Sequence, residues 1–358
     1  MIDNIRVSYD IFKSDLNERK FNKEYLKTDN ETKEYYYEAF TDIGRIAFYP
    51  NTNKLIISGR YIKTITNSYT DNFDDIFSTK EELDSFFYSI NKQISEMLIG
   101  IEIDIRTFKP SRIDFCLNIH TPHVDEYIRI FNKCFIKTKN KNYKNFVFEM
   151  DKELNTSFYV KTTKQFEKRK NQNFTANFYN KKDQLLYRKE KDVERFGRSS
   201  ITADDIEEAS DILRLEVQAH YEYLKRISEA FNIDFKTRQL VDYFDIDIVA
   251  EAIKRKLKFF FGEEDFYSYK AAKQILLDNK CRMYYKNMSI YTYIKKKNNN
   301  ESVPNIRKFT KQLKQLGINP KCFIPKLYGI DYLKNPIKLI DEKIKEKRLD
   351  KLKYKEAV

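Results

Sequence analysis

The sequence predicts an α+β fold, in which an antiparallel β-sheet carries helices on one face and a mainly α-helical C-terminal region follows. Two observations lead to this prediction. Through residue 234, segments that alternate apolar and polar residues are interspersed with segments of helical spacing, in the order strands, helix, strand, helix, strands. Beyond about residue 235 the alternation fades and helical spacing takes over. We therefore expect a sheet-containing domain at 1–234 and a helical domain at 235–358.

The N-terminal part of the chain holds three strand-like segments and one helix. Strands are expected at 5–11, 44–50 and 54–60, and the last two form a hairpin because Asn51-Thr-Asn53 is a turn signal. The charged residues 13–38 are expected to form a mobile insert. Ser78-Thr-Lys-Glu-Glu82 is a capping sequence, so a helix is predicted from there to Gly100.

The rest of the chain continues this order. Residues 101–119 are expected to form two short strands interrupted around Lys109-Pro110, with an amphipathic helix at 123–135. Further strands are predicted at 146–148, 157–160, 174–178 and 211–218, with helices starting near Lys182 and spanning 221–231. Helical spacing then predicts helices at 247–261, 268–278 and 304–316, and a basic helical tail at 343–355.

The charge of the chain favours a polyanionic partner, most simply nucleic acid. Lys and Arg number 67 against 54 Asp and Glu, which gives a formal net charge of +13. The sequence is also rich in Asn, Ile, Tyr and Phe, as expected of an AT-rich genome, so part of the lysine excess reflects base composition. The four cysteines form no C-x-x-C pair, which predicts neither a zinc site nor a disulfide framework.

The sequence shows no sign of membrane association. The N-terminus does not resemble a signal peptide, and no apolar run approaches the ~18 residues of a membrane span. We expect a cytoplasmic protein that has no membrane partner.

Tyr179 stands at the end of the strand predicted at 174–178, on its polar face. A phenol with a pKa near ~10 is a poor nucleophile at neutral pH. A metal ion that withdraws charge from phosphorus and a nearby cation that favours phenolate would both help it, and Lys182 could supply that cation. Tyr179 is therefore a candidate phosphodiester nucleophile. The chain has 26 Tyr, however, so a Tyr beside a Lys is expected many times by chance.

Two other strands carry unusual polar faces. Alternation places Arg112, Asp114 and His120 on one face of the strand that ends near residue 119, and Arg214 and Glu216 on one face of the strand at 211–218. Asp114 and Glu216 are hard oxygen donors suited to Mg²⁺ or Mn²⁺, with His120 as a further candidate ligand.

The cations among these residues suggest phosphate contacts. Arg112, Arg214 and Lys182 would hold flanking phosphates or the leaving oxygen, and Lys181 is a further DNA-binding candidate. The plainer alternative is that the arginines and acids form solvated cross-strand ion pairs on an exposed sheet face.

The order of these motifs resembles that of rolling-circle replication initiators. The motifs are S-R-I-D at 111–114, F-Y-N-K-K at 178–182, and R-L-E-V-Q at 214–218 running into Y-E-Y-L-K at 221–225. The Rep_trans family of small Gram-positive plasmids carries a similar R-x-D strand, Y-N-K-K segment and R-x-E strand. The opening M-I-D, the S-G at 58–59 and L-K-Q-L-G-I-N-P-K at 313–321 are similar to the gene II replication protein family of filamentous phages. The resemblance covers roughly residues 1–230, and a weaker similarity continues to about residue 325.

The resemblance implies a Rep-like nuclease fold related to the HUH endonucleases. Tyr179 would be the nicking tyrosine, Asp114 and Glu216 would bind the metal, and Lys182 would assist. The chain departs from the HUH motif, in which one hydrophobic residue separates two histidines, because two residues lie between His120 and His123.

The implied function is that of a metal-dependent, origin-specific DNA nickase and strand transferase that forms a 5′-phosphotyrosine intermediate. It would start rolling-circle replication of a plasmid or phage. Its partners would be single-stranded and duplex origin DNA, the duplex contacted by the helix at 304–316, with a host helicase and a second copy of the chain as candidates. A relaxase or transposase with the same tyrosine chemistry and a non-catalytic basic nucleic-acid-binding protein remain open alternatives.

Overall fold

Ten strands form one antiparallel sheet in the computed structural model, which describes residues 2–21, 27–28, 35–41, 44–59, 80–138, 143–145, 157–162, 174–279, 281 and 306–356. The strands of this sheet are β1 (Ile2–Asp10), β2 (Lys27–Thr28), β3 (Tyr35–Thr41), β4 (Gly44–Tyr49), β5 (Lys54–Gly59), β6 (Lys109–His120), β7 (Tyr143–Asn145), β8 (Ser157–Thr162), β9 (Phe174–Asn180) and β10 (Ile212–His220). Their order across the sheet is β2-β3-β4-β5-β1-β6-β10-β9-β8-β7. The three strands that carry the sequence motifs, β6, β10 and β9, are therefore adjacent.

Helices follow or separate these strands. They are α1 (Lys80–Ser95), α2 (Val124–Thr138), α3 (Lys181–Phe196), α4 (Ala203–Glu208), α5 (Tyr221–Ala230), α6 (Ile246–Phe261), α7 (Tyr269–Asp278), α8 (Ile306–Gln315) and α9 (Pro336–Glu356). A two-stranded ribbon, β11 (Phe266–Tyr267) with β12 (Tyr332–Leu333), lies within the C-terminal part. Within the described ranges, every helix is too short or too polar to span a lipid bilayer.

One face of the sheet is apolar and packs against helices. Phe115 of β6, Leu215 of β10 and Phe178 of β9 belong to a single core that also contains buried side chains of α1, α2, α5 and α6. Phe261 of α6 stacks on Phe131 of α2 with ring centroids 4.3 Å apart. Burial of this surface provides the main driving force for folding. The α+β class with an antiparallel sheet is thus confirmed.

The core extends across the domain boundary predicted between residues 234 and 235. Leu257 of α6 and Ile344 of α9 belong to the same cluster as the sheet residues. The boundary stays a prediction, and the residues on its two sides are packed together in this structure.

The prediction of two strands over 101–119 was wrong in its first half. Asp104 caps a short 3-10 turn at Ile105–Thr107, where its carboxylate accepts a hydrogen bond from the backbone N–H of Arg106 at 3.0 Å. The Asn91 side chain accepts from the N–H of Ile105 at 2.8 Å, so this N–H bonds to a side chain of α1 rather than to a neighbouring strand. Pro110 lies inside β6, where a shift in the register with β1 accommodates it.

Other segments differ from the prediction in smaller ways. Strand β3 begins inside the expected insert at 13–38, which also contains 3-10 turns at Lys13–Asp15 and Glu18–Lys20. Helix α4 was not predicted, and α9 begins before the basic tail expected at 343–355. The strand predicted at 146–148 lies outside the described residues.

Candidate active site on the polar face of the sheet

The face of the sheet opposite the helices is polar and largely buried at its centre. Antiparallel pairing of β6, β10 and β9 aligns their polar residues in three rows, namely Asp114–Gln218–Thr175, Cys116–Glu216–Asn177 and Asn118–Arg214–Tyr179. Glu216 is therefore a diagonal neighbour of both Asp114 and Tyr179. Diagonal neighbours are ~7–8 Å apart, within reach of long side chains. Three segments that are distant in the sequence thus meet on one surface.

Tyr179 lies on this polar face, as predicted, and it is buried. Only 8% of the residue is exposed, and its hydroxyl donates to Glu216 Oε2 at 3.4 Å. Arg214 is its cross-strand partner, and the two side chains interact electrostatically. A carboxylate that can accept the phenolic proton and a cation that favours phenolate are therefore both next to this oxygen.

Asp114 is held by Arg112, two residues earlier on the same strand. The guanidinium makes a bidentate contact, in which Nε donates to Oδ1 at 2.7 Å and Nη2 donates to Oδ2 at 2.5 Å. Only 1% of Asp114 is exposed, and this burial, together with the negative charges of Glu216 and Asp3, raises its pKa to about 7 although Arg112 opposes the rise. Arg112 and Asp114 do form an ion pair, but it lies within one strand and its acid is buried, unlike the solvated cross-strand pair of the plainer alternative.

Arg214 is buried in the same face, with 3% of the residue exposed. Its Nη1 donates to Asn118 Oδ1 at 3.3 Å, while Nη2 lies 3.2 Å from both Cys116 Sγ and Asp3 Oδ1. The remaining donor, Nε, has no acceptor among the described residues. Since a buried N–H is normally paired, this open donor could bind an anionic group brought by a ligand.

Asn177 presents a second open atom on this face. Its backbone pairs with Glu216, and its buried Oδ1 has no donor among the described residues. An acceptor in this position can take a proton from a ligand or bind a cation.

His120 is not brought to this centre, and Lys181 and Lys182 make contacts at the start of α3. His120 is at the exposed end of β6, opposite Ile212, and six residues of extended strand separate it from Asp114 by roughly 20 Å. Lys181 is buried, and its ammonium donates to Gln184 Oε1 at 3.2 Å within the first turn of α3. The backbone N–H of Lys182 donates at 3.1 Å to Asn180 Oδ1, the cap that begins α3.

The donor set suits a hard divalent cation that retains most of its water. In the described part of the chain, no group of three or more His, Cys, Asp or Glu residues converges as a metal site. Mg²⁺ is commonly bound by one or two carboxylates together with substrate phosphates. Asp114, Glu216 and the open Asn177 Oδ1 provide oxygen donors of that kind, whereas the position of His120 does not support its predicted role as a ligand.

Asp3 belongs to this site but was not predicted as a site residue. It shares the parity of the buried Ile5 and Val7, so simple alternation would place it on the apolar face. A register shift between Ile2 and Asn4 changes the direction of the side chain, and Asp3 contacts Arg214.

Tyr159 of β8 is a second tyrosine that was missed, although its sequence signal was present. It alternates with the buried Phe158 and Val160 and pairs with Asn177, which places it on the polar face. Burial raises its pKa, a hydrogen bond from Thr175 opposes this, and the charges of Glu216 and Arg112 act on it as well. The site therefore presents two phenols near Glu216.

A surface cleft lies beside Arg112. This cleft of about 550 Å³ is lined by Arg112 together with Arg6, Lys54 and Tyr221. Asp114, Glu216 and Tyr179 are not among the residues that line it, so the cleft adjoins the buried acid pair through Arg112, which is bonded to Asp114.

The chain matches no protein-family model, and no curated protein is significantly similar to it. Functional inference for this protein therefore depends on the short motifs and on the geometry of this face.

Proposed function

We propose that this chain is a metal-dependent nickase and strand transferase for single-stranded DNA, and that it initiates rolling-circle replication of a plasmid or phage through a Rep-like, HUH-related fold. The observation that best supports this proposal is the 3.4 Å contact between the Tyr179 hydroxyl and Glu216, on a buried face shared with Asp114. A tyrosine nucleophile needs a base within hydrogen-bond reach and stabilisation of its anion, and Glu216 and Arg214 can provide these.

The reaction forms one phosphorus–oxygen bond and breaks another. Tyr179 Oη attacks the phosphorus of a phosphodiester while Glu216 Oε2 accepts the phenolic proton. The bond to the 3′ oxygen breaks, this oxygen takes a proton from water, and the 5′ phosphate stays on the tyrosine. Because the phosphotyrosine retains the energy of the broken diester, attack by a 3′-hydroxyl can reverse the step and rejoin a strand.

The buried arginines would stabilise charge in this reaction. The open Nε of Arg214 can donate to a non-bridging phosphate oxygen, and Arg112, which lines the cleft, keeps the buried Asp114 in place behind it. Mg²⁺ or Mn²⁺ held by Asp114 and Glu216 would supply charge neutralisation at the same oxygens.

Duplex origin DNA is assigned to α8 in the C-terminal part. Phe309 and Leu313 face inward and pack in a small core with residues of α7, including Leu276. The cations of α8 are exposed on its outer side, namely Arg307, Lys308, Lys311 and Lys314. A basic helix of this kind can follow a major groove.

The proposal is tested by capturing covalent DNA adducts, which requires no knowledge of the origin. The protein is incubated with Mn²⁺ and a pool of labelled single-stranded DNA of random sequence, and adducts are identified after denaturing electrophoresis. Wild type should give an adduct whose tryptic phosphopeptide contains Tyr179. Tyr179→Phe and EDTA should each abolish the adduct while DNA binding is retained.

Tyr159→Phe is the matched control, because it removes the other phenol from the same face. If Tyr159→Phe abolishes the adduct and Tyr179→Phe retains it, the assignment of the nucleophile is wrong. If wild type binds DNA but gives no adduct with any divalent metal, the chain is a non-catalytic binding protein. The captured sequences would separate an initiator from a relaxase or transposase, since the chemistry is shared.

A further inference from the structure

A basic groove extends away from the candidate active site along β1 and the start of α5. The cleft beside Arg112 adjoins a second cleft of about 340 Å³, and both are lined by Ser8, Lys54, Ser111 and Tyr221. We call their union the Tyr221 groove. It begins at Arg112, whose guanidinium holds Asp114, and ends at Lys236 and Arg238. Arg112 connects this end of the groove to the buried acid pair, because its guanidinium is bonded to Asp114.

The Tyr221 groove is strongly cationic. Its lining includes six Lys or Arg residues, but its only acidic lining residue among those described is Glu222. The side chains of Arg6, Lys54 and Lys236 are exposed. A row of exposed cations with little compensating acid is the electrostatic signature of a site for a phosphate chain.

Tyr221 provides a fixed aromatic surface in this groove. Its residue is 54% exposed, yet its ring is held from behind by Phe235, with centroids 4.8 Å apart and planes at 83°. Arg238 supports both rings, with Cζ 3.7 Å from the Phe235 centroid and 5.7 Å from that of Tyr221.

The support beneath Tyr221 is itself rigid. Arg238 is buried and donates from Nε and Nη2 to the carbonyl oxygen of Pro110 at 3.2 and 2.9 Å, and from Nη1 to that of Phe235 at 2.6 Å. The Tyr221 side chain is therefore already ordered in the folded protein. It would lose little further conformational entropy when a ligand stacks on it.

We propose that the Tyr221 groove binds single-stranded DNA, with one base stacked on Tyr221 and the adjacent phosphates on Arg6, Lys54 and Lys236. Bases of a duplex are already stacked on one another, so a lone exposed ring beside cations suits a single strand. Along β10, Tyr221 lies just beyond the position paired with Arg112, and the position paired with Tyr179 is roughly 20 Å away. The stacked base would thus be several nucleotides from the phosphodiester that is cut. That last step rests on the proposed nicking function, whereas binding in the groove does not.

The proposal is tested by titrating the full-length protein with a fluorescent oligodeoxythymidylate of about 16 nucleotides. Tyr221→Leu should weaken binding about 5- to 150-fold, which corresponds to the ~1–3 kcal/mol of one stacked base at ~1.4 kcal/mol per tenfold change. Tyr221→Phe and Tyr221→Trp should bind like wild type, because they retain the ring. Tyr88→Leu is the matched control, since Tyr88 is also exposed, to 71%, and lies on α1, which packs against the apolar face of the sheet.

A second measurement separates stacking from loss of structure. Lys54→Gln and Lys236→Gln should each lower the slope of log affinity against log salt by about 0.7, the value for one phosphate contact on a single strand. The Tyr221 variants should leave that slope unchanged. Loss of binding in Tyr221→Phe, or full affinity in Tyr221→Leu, overturns the proposal, as does stronger binding of an acidic peptide than of DNA.

The failure of this inference can be told apart from that of the proposed function. If wild type forms the adduct and Tyr221→Leu binds DNA with unaltered affinity, the proposal for the Tyr221 groove is wrong, and the proposed nickase function is retained. If DNA binding depends on Tyr221 but no adduct forms, the proposed nickase function is wrong, and the proposal for the Tyr221 groove is supported.

Discussion

Replacing Asp114 with Asn should remove a large part of the pH dependence of stability, because Asp114 is a buried acid. Burial, with the charges of Glu216 and Asp3, raises its pKa from 3.8 to about 7 in the folded protein. The folded state therefore binds a proton that the unfolded state releases. The stabilisation that this bound proton provides is fully present below pH ~3.8. It is lost as the pH rises through the folded-state pKa of about 7.

The size of this effect follows from the same shift. A rise from 3.8 to about 7 corresponds to roughly 4 kcal/mol, at ~1.36 kcal/mol per pKa unit. Across this interval, the free energy of unfolding of wild type should fall relative to that of Asp114→Asn by roughly 4 kcal/mol. The comparison removes the contributions of titrating groups that do not interact with Asp114, since these are common to both proteins.

The assay is urea unfolding followed by circular dichroism, at a series of pH values from about 3.5 to 8, with EDTA present to exclude metal. Adding Mn²⁺ at pH 8 should stabilise wild type more than Asp114→Asn, because the cation relieves the repulsion between the two carboxylates. If the two proteins show the same pH dependence in EDTA, Asp114 is not the titrating group and the electrostatic account of the site is wrong.

The remaining predictions concern the supporting charges. Glu216→Gln should reduce the rate of adduct formation by about 10²–10⁴-fold, the usual contribution of a general base, and bound DNA should persist in the same gel-shift assay. Arg214→Met should destabilise the fold by about 3–5 kcal/mol in urea unfolding, because it leaves Asp3 near other acids without its cation. Lys256→Met should stabilise the fold by about 1–3 kcal/mol at neutral pH, since Lys256 is buried and its pKa is lowered by burial and by nearby arginines. That gain should shrink as the pH approaches the unfolded-state lysine value of ~10.4, where the unfolded chain also loses the proton. A stable Arg214→Met protein or a destabilised Lys256→Met protein would contradict these assignments.

The central strands could be predicted from the sequence because apolar and polar residues alternate strictly along them. β10 reads R-L-E-V-Q, so every second residue is apolar, and its register with β6 and β9 follows from burial of that set. The helix predicted to start near Lys182 is α3, and it begins there because the Asn180 side chain accepts hydrogen bonds from the N–H groups of Lys182 and Asp183. The positions of Asp114, Glu216 and Tyr179 on one face are direct consequences of these local rules.

What the sequence could not predict depends on breaks in alternation and on tertiary contacts. The parity of Asp3 points to the core, and only a register shift that depends on pairing with β6 turns it toward Arg214. The 3-10 turn at Ile105–Thr107 depends on Asn91, which lies in another element. The support of Tyr221 by Phe235 and Arg238 likewise joins residues from the start of α5 and from the loop after it.

The burial of the polar face has a consequence for any reaction there. Its charged residues are largely removed from water, namely Asp114, Arg214 and Glu216. Their charges therefore interact with one another in a medium of low dielectric constant. Such groups are costly to bury, and the open Nε of Arg214 and Oδ1 of Asn177 add to that cost. A sheet that served only as a scaffold would be more stable with apolar residues in these positions. A phosphate and a hydrated cation would satisfy both open atoms at once, which is why we propose this face, rather than the exposed charges elsewhere, as the active site.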